Sequence, residues 1–205
     1  MMRIWLLVLA AAATATDPSE RAWQLAHEED GIRVWTRAVA SSPVREVRAQ
    51  TVVAASRERI WAMLHDIPSL PQYMPYVLHS EVLERLDDAT QYEYHLIDPP
   101  FVSQRDYAVR VTDHAPDDAE TWERRWTAAP ERAPAPKDGI VRLLVVDGAW
   151  ILRRVDEHAT QVTYLLHTDP GGAIPAWLAN RANTTSLPDL MRAVSRRAID
   201  PSWKP

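Results

Sequence analysis

The chain has 205 residues, of which 46% are apolar and 25% charged, enough for one domain with a sizeable core. A formal net charge of −5 leaves no basic footprint for nucleic acid. With no cysteine, the chain forms no disulfide, thiolate metal site, cysteine nucleophile or cysteine-linked lipid anchor; nine Trp against one Phe make much of its large apolar surface indole.

Residues 1–15 combine a single basic residue, Arg3, an apolar run over 4–13 and the small-residue site Ala13-Thr14-Ala15. This is a secretory signal pattern, too short to cross a bilayer as a helix, and it predicts a cleaved, exported protein, periplasmic or secreted. Residues 16–205 are then one domain. Asp17 or Ser19 caps a predicted helix in "DPSERAWQLAHEED". Strands are predicted over 31–37 and 44–53, where apolar and polar residues alternate. Ser56 caps an amphipathic helix in which Ile60, Met63 and Leu64 recur at helical spacing. Pro68, Pro71 and Pro75 break the chain after it.

Six strand signals follow in series, over 76–86, 90–98, 105–113, 120–128, 139–155 and 160–168. Short polar connections make them an antiparallel meander. Residues 129–138 are Pro-rich and charged and are predicted to be a long surface loop. Gly171-Gly172 marks a turn, Pro175 suits a first helical turn, and a helix follows in which Pro188 predicts a kink or a restart. The fold class is therefore α+β, with one antiparallel sheet curled around a long C-terminal helix.

Alternation sorts the strands into faces. The aromatic and apolar sets should face the C-terminal helix: Tyr92, Tyr94 and Leu96; Arg105, Tyr107, Val109 and Val111; Trp122, Arg124 and Trp126; Val162, Tyr164 and Leu166. Two of these sets carry an arginine. An unpaired buried charge is costly, so Arg105 and Arg124 each meet a partner, with Asp98 or Asp106 near Arg105, or face a cavity. No inward Asp, Glu or His emerges from the alternation. The seven histidines show no metal-ligand spacing, and no nucleophile elbow or phosphate-binding loop is present. Asn183-Thr184-Thr185 matches a glycosylation acceptor but falls in the predicted helix.

Three stretches resemble the START family of lipid-transfer domains. They are "PPFVSQRDYAV", "DGIVRL", and "GAWILRRV" continuing into "TQVTYLLHTDPGGAIPAWLANR", with "LPDLMRAV" matching the final helix. The resemblance spans roughly residues 20–200 and implies a helix-grip fold, a curved antiparallel sheet wrapped around the C-terminal helix with an internal hydrophobic cavity. It implies one bound lipid, no cofactor and no metal, transient contact with a membrane surface, and a gate at 129–138 closing against Trp177 and Leu178. The matching arginine for a phospholipid head group is Arg105, with Tyr94, Tyr107, Trp122, Arg124, Trp126, Tyr164 and Trp177 as further lipid-contact candidates. Sterol-binding members place a second arginine where Val111 stands here, so sterol specificity of that type is not implied. A monomer is expected. The same architecture hosts polyketide cyclases and aromatases, which need a cavity acid or base, and a lipid-sensing module is a third reading.

Overall fold

The computed structural model describes residues 22–204. The signal pattern and the start of the first predicted helix lie outside them. Ten strands form one sheet: β1 (Gln24–Glu29), β2 (Ile32–Val39), β3 (Ser42–Val53), β4 (Val77–Arg85), β5 (Thr90–Ile97), β6 (Arg105–His114), β7 (Thr121–Ala128), β8 (Val141–Arg142), β9 (Val146–Arg154) and β10 (Thr160–Thr168). Their order is β1-β2-β3-β10-β9-β7-β6-β5-β4, with β8 paired in parallel to β6. The α-helices among the described residues are α1 (Arg57–His65) and α2 (Ala176–Ile199), with short 3-10 helices at Ile67–Gln72 and Pro130–Arg132. The helix-grip expectation holds: α2 lies against β1, β2 and β3, and the sheet curves around it.

Two predicted elements are corrected. The strand expected over 139–155 is two, β8 and β9, broken at 143–145, and β8 pairs in parallel with β6 while β9 pairs with β7 and β10. Residues 24–29 are a strand, not part of an opening helix. Asp30 and Gly31 both have positive φ, 50° and 75°, and Glu29 pairs with Ile32. An Asp-Gly pair in that conformation makes a two-residue hairpin turn and carries the preceding residues into register with β2. Helix α1 is as expected: the Ser56 side chain accepts from the Arg59 N–H, and Ile60, Met63 and Leu64 are buried.

Pro188 sits inside α2 and the helix runs through it without restarting. Leu187, Met191, Val194 and Ala198 bury one face against Val34, Val47, Trp150 and Val162. Of the polar tethers that hold α2, two lie toward its ends. Near its start, Asn180 accepts from the Arg45 N–H (2.7 Å) and donates to the Pro43 carbonyl (3.2 Å) on the β2–β3 side. At its end, the Arg59 guanidinium from α1 donates to the carbonyls of Ala198 (2.6 Å), Asp200 (2.5 Å) and Trp203 (3.0 Å). Terminal carbonyls without an intrahelical partner are thereby satisfied.

Candidate functional site

A cavity of about 600 Å³ lies between the inner face of the sheet and α2. That volume falls within the range of small-molecule sites. Its walls are mostly apolar, built from Val109, Val111, Trp126, Leu143, Val146, Trp150 and Leu166 on the sheet and from Leu178, Leu187 and Leu190 on α2. Gly148 makes room for one wall: a Cβ there would lie 2.4 Å from the Trp126 ring and 2.4 Å from the Leu165 carbonyl. The indole therefore packs directly on the backbone of β9.

Arg105 opens β6 at one end of the cavity. It is 5% exposed, and among the described residues no carboxylate pairs with it. Its Nε donates to the Pro170 carbonyl at 3.2 Å and its Nη1 to the Ser103 carbonyl. Burial draws its pKa below the ordinary arginine value, yet a guanidinium remains a cation in proteins. Asp106, the neighbour weighed as a partner, points to the opposite face. There Arg142 clasps it through two bonds of 2.7 Å, and the Tyr94 hydroxyl donates to it at 3.1 Å.

Strand β5 turns the opposite face to the cavity from the one alternation suggests. Glu93, His95 and Ile97 line the cavity, while Tyr94 is buried behind the sheet. Pairing explains the reversal: His95 lies opposite Tyr107 and Glu93 opposite Val109, and directly opposed residues share a face. Burial and the bond to Asp106 push the Tyr94 hydroxyl up to about 12. The cavity wall thus contains an inward carboxylate and an inward imidazole, which the sequence reading did not find.

Glu93 is 4% exposed and is held on three sides. It accepts from Gln91 Nε2 (2.5 Å), from Arg124 Nη2, and lies 3.2 Å from His95 Nε2. Burial alone would raise its pKa; the His95 hydrogen bond and the Arg124 charge overcome that and hold it at about 2. Arg124, 3% exposed, also donates to Asp113 (2.6 and 2.8 Å) and lies 2.8 Å from His65 Nε2. Its charge is therefore met by protein carboxylates. An acid–arginine pair does stand in the wall, but β5 and β7 build it, with Val111 at the position on β6.

The other predicted residues divide. Tyr107, Trp126 and Tyr164 line the cavity beside Arg105 and Arg124. Trp122 faces α1 instead: Arg57 stacks over its ring at 3.9 Å and Trp61 meets it edge-on at 5.4 Å. Trp177 is exposed beside the cavity-lining Leu178. The segment 129–138 supplies no wall residue. Arg142 donates to the Pro134 carbonyl (2.9 Å), and Arg132 pairs with Glu84 and stacks over Tyr92 at 4.4 Å, so the segment is fastened behind the sheet. The loop at the cavity rim is 98–104. Its Phe101 is fully exposed with φ 67°, and Tyr76 opposite has φ 64°. Aromatic residues rarely adopt this left-handed conformation, which concentrates at functional sites.

The sequence pattern of the "polyketide cyclase / dehydrase and lipid transport" family matches residues 53–195. The chain belongs to this family. It is 30% identical over 202 residues to an uncharacterized protein of Pseudomonas aeruginosa, covering 96% of this chain and 98% of that one. It is 22% identical over 192 residues to the mouse START domain-containing protein 10, covering 91% of this chain and 65% of that protein. Its fold superimposes with a TM-score of 0.79 on the crystal structure of a STAR-related lipid transfer protein from Xanthomonas axonopodis, at 32% identity over 87% of this chain and 99% of that one. Human STARD10 matches with a TM-score of 0.79 at 19% identity, covering 89% of this chain and 75% of that one. The START-like fold supports a lipid ligand.

Proposed function

We propose that this protein binds a single polar-headed lipid in the cavity and transfers it between membranes without chemically altering it. Arg105 carries the reading: a buried cation with no carboxylate partner among the described residues, at the end of an apolar cavity. An anionic phosphate or carboxylate head supplies the missing charge, and each buried CH₂ contributes about 0.8 kcal/mol.

The family name covers cyclases as well as lipid transport. Binding is favoured here because the cavity carboxylate is already committed. Glu93 is held at about 2 by its neighbours, so it is a poor base near neutral pH. The hydroxyls of Tyr107 and Tyr164 are pushed up by burial, which makes them hydrogen-bonding groups, not proton donors. The exposed Phe101, Leu144, Trp177 and Leu178 lie on or beside wall segments. They support a docking edge for a membrane. The N-terminal signal pattern supports export, and the protein is read as acting as a monomer.

The test is extraction of lipid from the purified protein, identified by mass spectrometry, followed by reloading of delipidated protein. Arg105→Ala should lose roughly tenfold or more in affinity for anionic lipid, the scale of a charge-assisted contact, with a smaller effect on folding. Recovery of no lipid, or a large fall in Tm with unchanged affinity, would sink the proposal.

A further inference from the structure

Beyond Arg105 the cavity holds several polar groups that the protein leaves unsatisfied. Tyr107 follows Arg105 on the same face of β6, about 7 Å along the strand at the usual rise per residue. No hydrogen bond engages its hydroxyl among the described residues, although its ring lies stacked with His95 at 5.0 Å. Tyr164 projects from β10 into the same cavity, its ring wedged between Trp150 (4.5 Å) and Trp126 (5.7 Å). Its hydroxyl also lacks a hydrogen bond among the described residues. From the helix side, Asn183 Nδ2 is buried without a partner among the described residues, and so is Thr168 Oγ1 on β10; both residues line the cavity.

Water satisfies the two phenol hydroxyls while the cavity is empty. A plain hydrocarbon chain would expel that water and return nothing, leaving several polar groups unmet at the full desolvation penalty. An oxygen on the chain restores the bonds. We infer that the ligand carries, besides its anionic head, at least one further oxygen function a short way along its apolar part, a hydroxyl or a carbonyl, received by Tyr107, Tyr164 and Asn183. This rests on the lipid-binding reading and narrows it. A glycerolipid offers such an oxygen as its ester carbonyls, and a hydroxylated fatty acid offers it on the chain.

Two matched pairs of probes separate these sources. One pair is diacyl phosphatidylglycerol and its dialkyl ether analogue, which lacks the carbonyls. The other is hexadecanoate and mid-chain hydroxyhexadecanoate. Affinities are read by displacement of a fluorescent fatty acid from delipidated wild type, from the double variant Tyr107→Phe/Tyr164→Phe, and from Asn183→Ala. In at least one pair the oxygen-bearing member should bind the wild type about tenfold tighter, as expected for regained buried hydrogen bonds. The variants should lose that preference while still binding the oxygen-poor member. Preference in the first pair alone assigns the ester carbonyl; in the second alone, the chain hydroxyl. Equal affinity within both pairs for the wild type, or a preference that survives in the variants, overturns the inference and leaves lipid binding standing. Failure of all four probes to bind removes the lipid reading itself and this inference with it. Tyr→Phe deletes only the hydroxyl, and a melting curve for each variant confirms that folded protein is compared.

Discussion

Glu93 is an acid in an apolar wall, and its neighbours decide its protonation. Its folded-state pKa of about 2 lies below the ordinary 4.5, so an unfolding chain takes up a proton that the folded protein refuses. Its contribution is fully present above about pH 4.5 and is lost as pH falls toward 2. Denaturant titrations of wild type and Glu93→Gln from pH 7 to pH 2 should show a stability difference that shrinks by about 3 kcal/mol. A difference independent of pH would mean that Glu93 is not held ionised by His95 and Arg124. The same residue shows where the sequence misleads. Hydrophobicity places Tyr92 and Tyr94 inward, but Gln91, Glu93, Tyr94 and His95 are all buried, so β5 is covered on both faces. Alternation reads a face only where the other face is wet. Arg105 and Tyr107 were legible because β6 alternates against Arg110 and Thr112, which are exposed. The partnership of Asp106 with Arg142 was not, since it joins residues thirty-six positions apart through the short strand β8.

Most elements were legible because alternating runs were separated by short polar turns. One exception, β1, has only exposed or half-exposed residues, so burial gives it no period, and the evidence for it sat in the Asp30-Gly31 turn. The 129–138 segment was correctly read as a loop and wrongly placed, because Arg132 and Arg142 fasten it from partners on β4, β5 and β6. At this scale Gly148 is the sharpest position. Gly148→Ala forces either the Trp126 ring or the β9–β10 backbone to move. Over-packing of this kind costs roughly 1–3 kcal/mol, so the variant should unfold at lower denaturant and bind lipid more weakly. Unchanged stability together with unchanged lipid affinity would show that Trp126 yields freely and is not a fixed wall.

For the whole molecule, the proposed function makes binding and delivery separable. In that reading the cavity selects the lipid, and the exposed rim at 98–104 with the start of α2 meets the membrane. Phe101 is fully exposed and its side chain therefore does little for the folded core. Its transfer into a lipid surface is worth about 1.5–3 kcal/mol. Phe101→Asp should leave equilibrium lipid affinity within about twofold while slowing transfer between vesicles by roughly tenfold or more, the rate equivalent of that loss. Equal transfer rates for the two proteins would place membrane contact elsewhere.

The spacing of the tethers on α2 has a consequence of its own. Asn180 is the first side chain of the helix to grip the sheet, and Arg59 clamps its far end. The turn before Asn180 buries Ala179 but leaves Trp177 and Leu178 exposed, and it begins at Pro175 without a side-chain cap. Fraying begins where helix ends lack such restraint. On the proposed lipid-binding reading, the opening a lipid chain requires is a single loosened turn, with the remainder of the helix left in place as the cavity's roof.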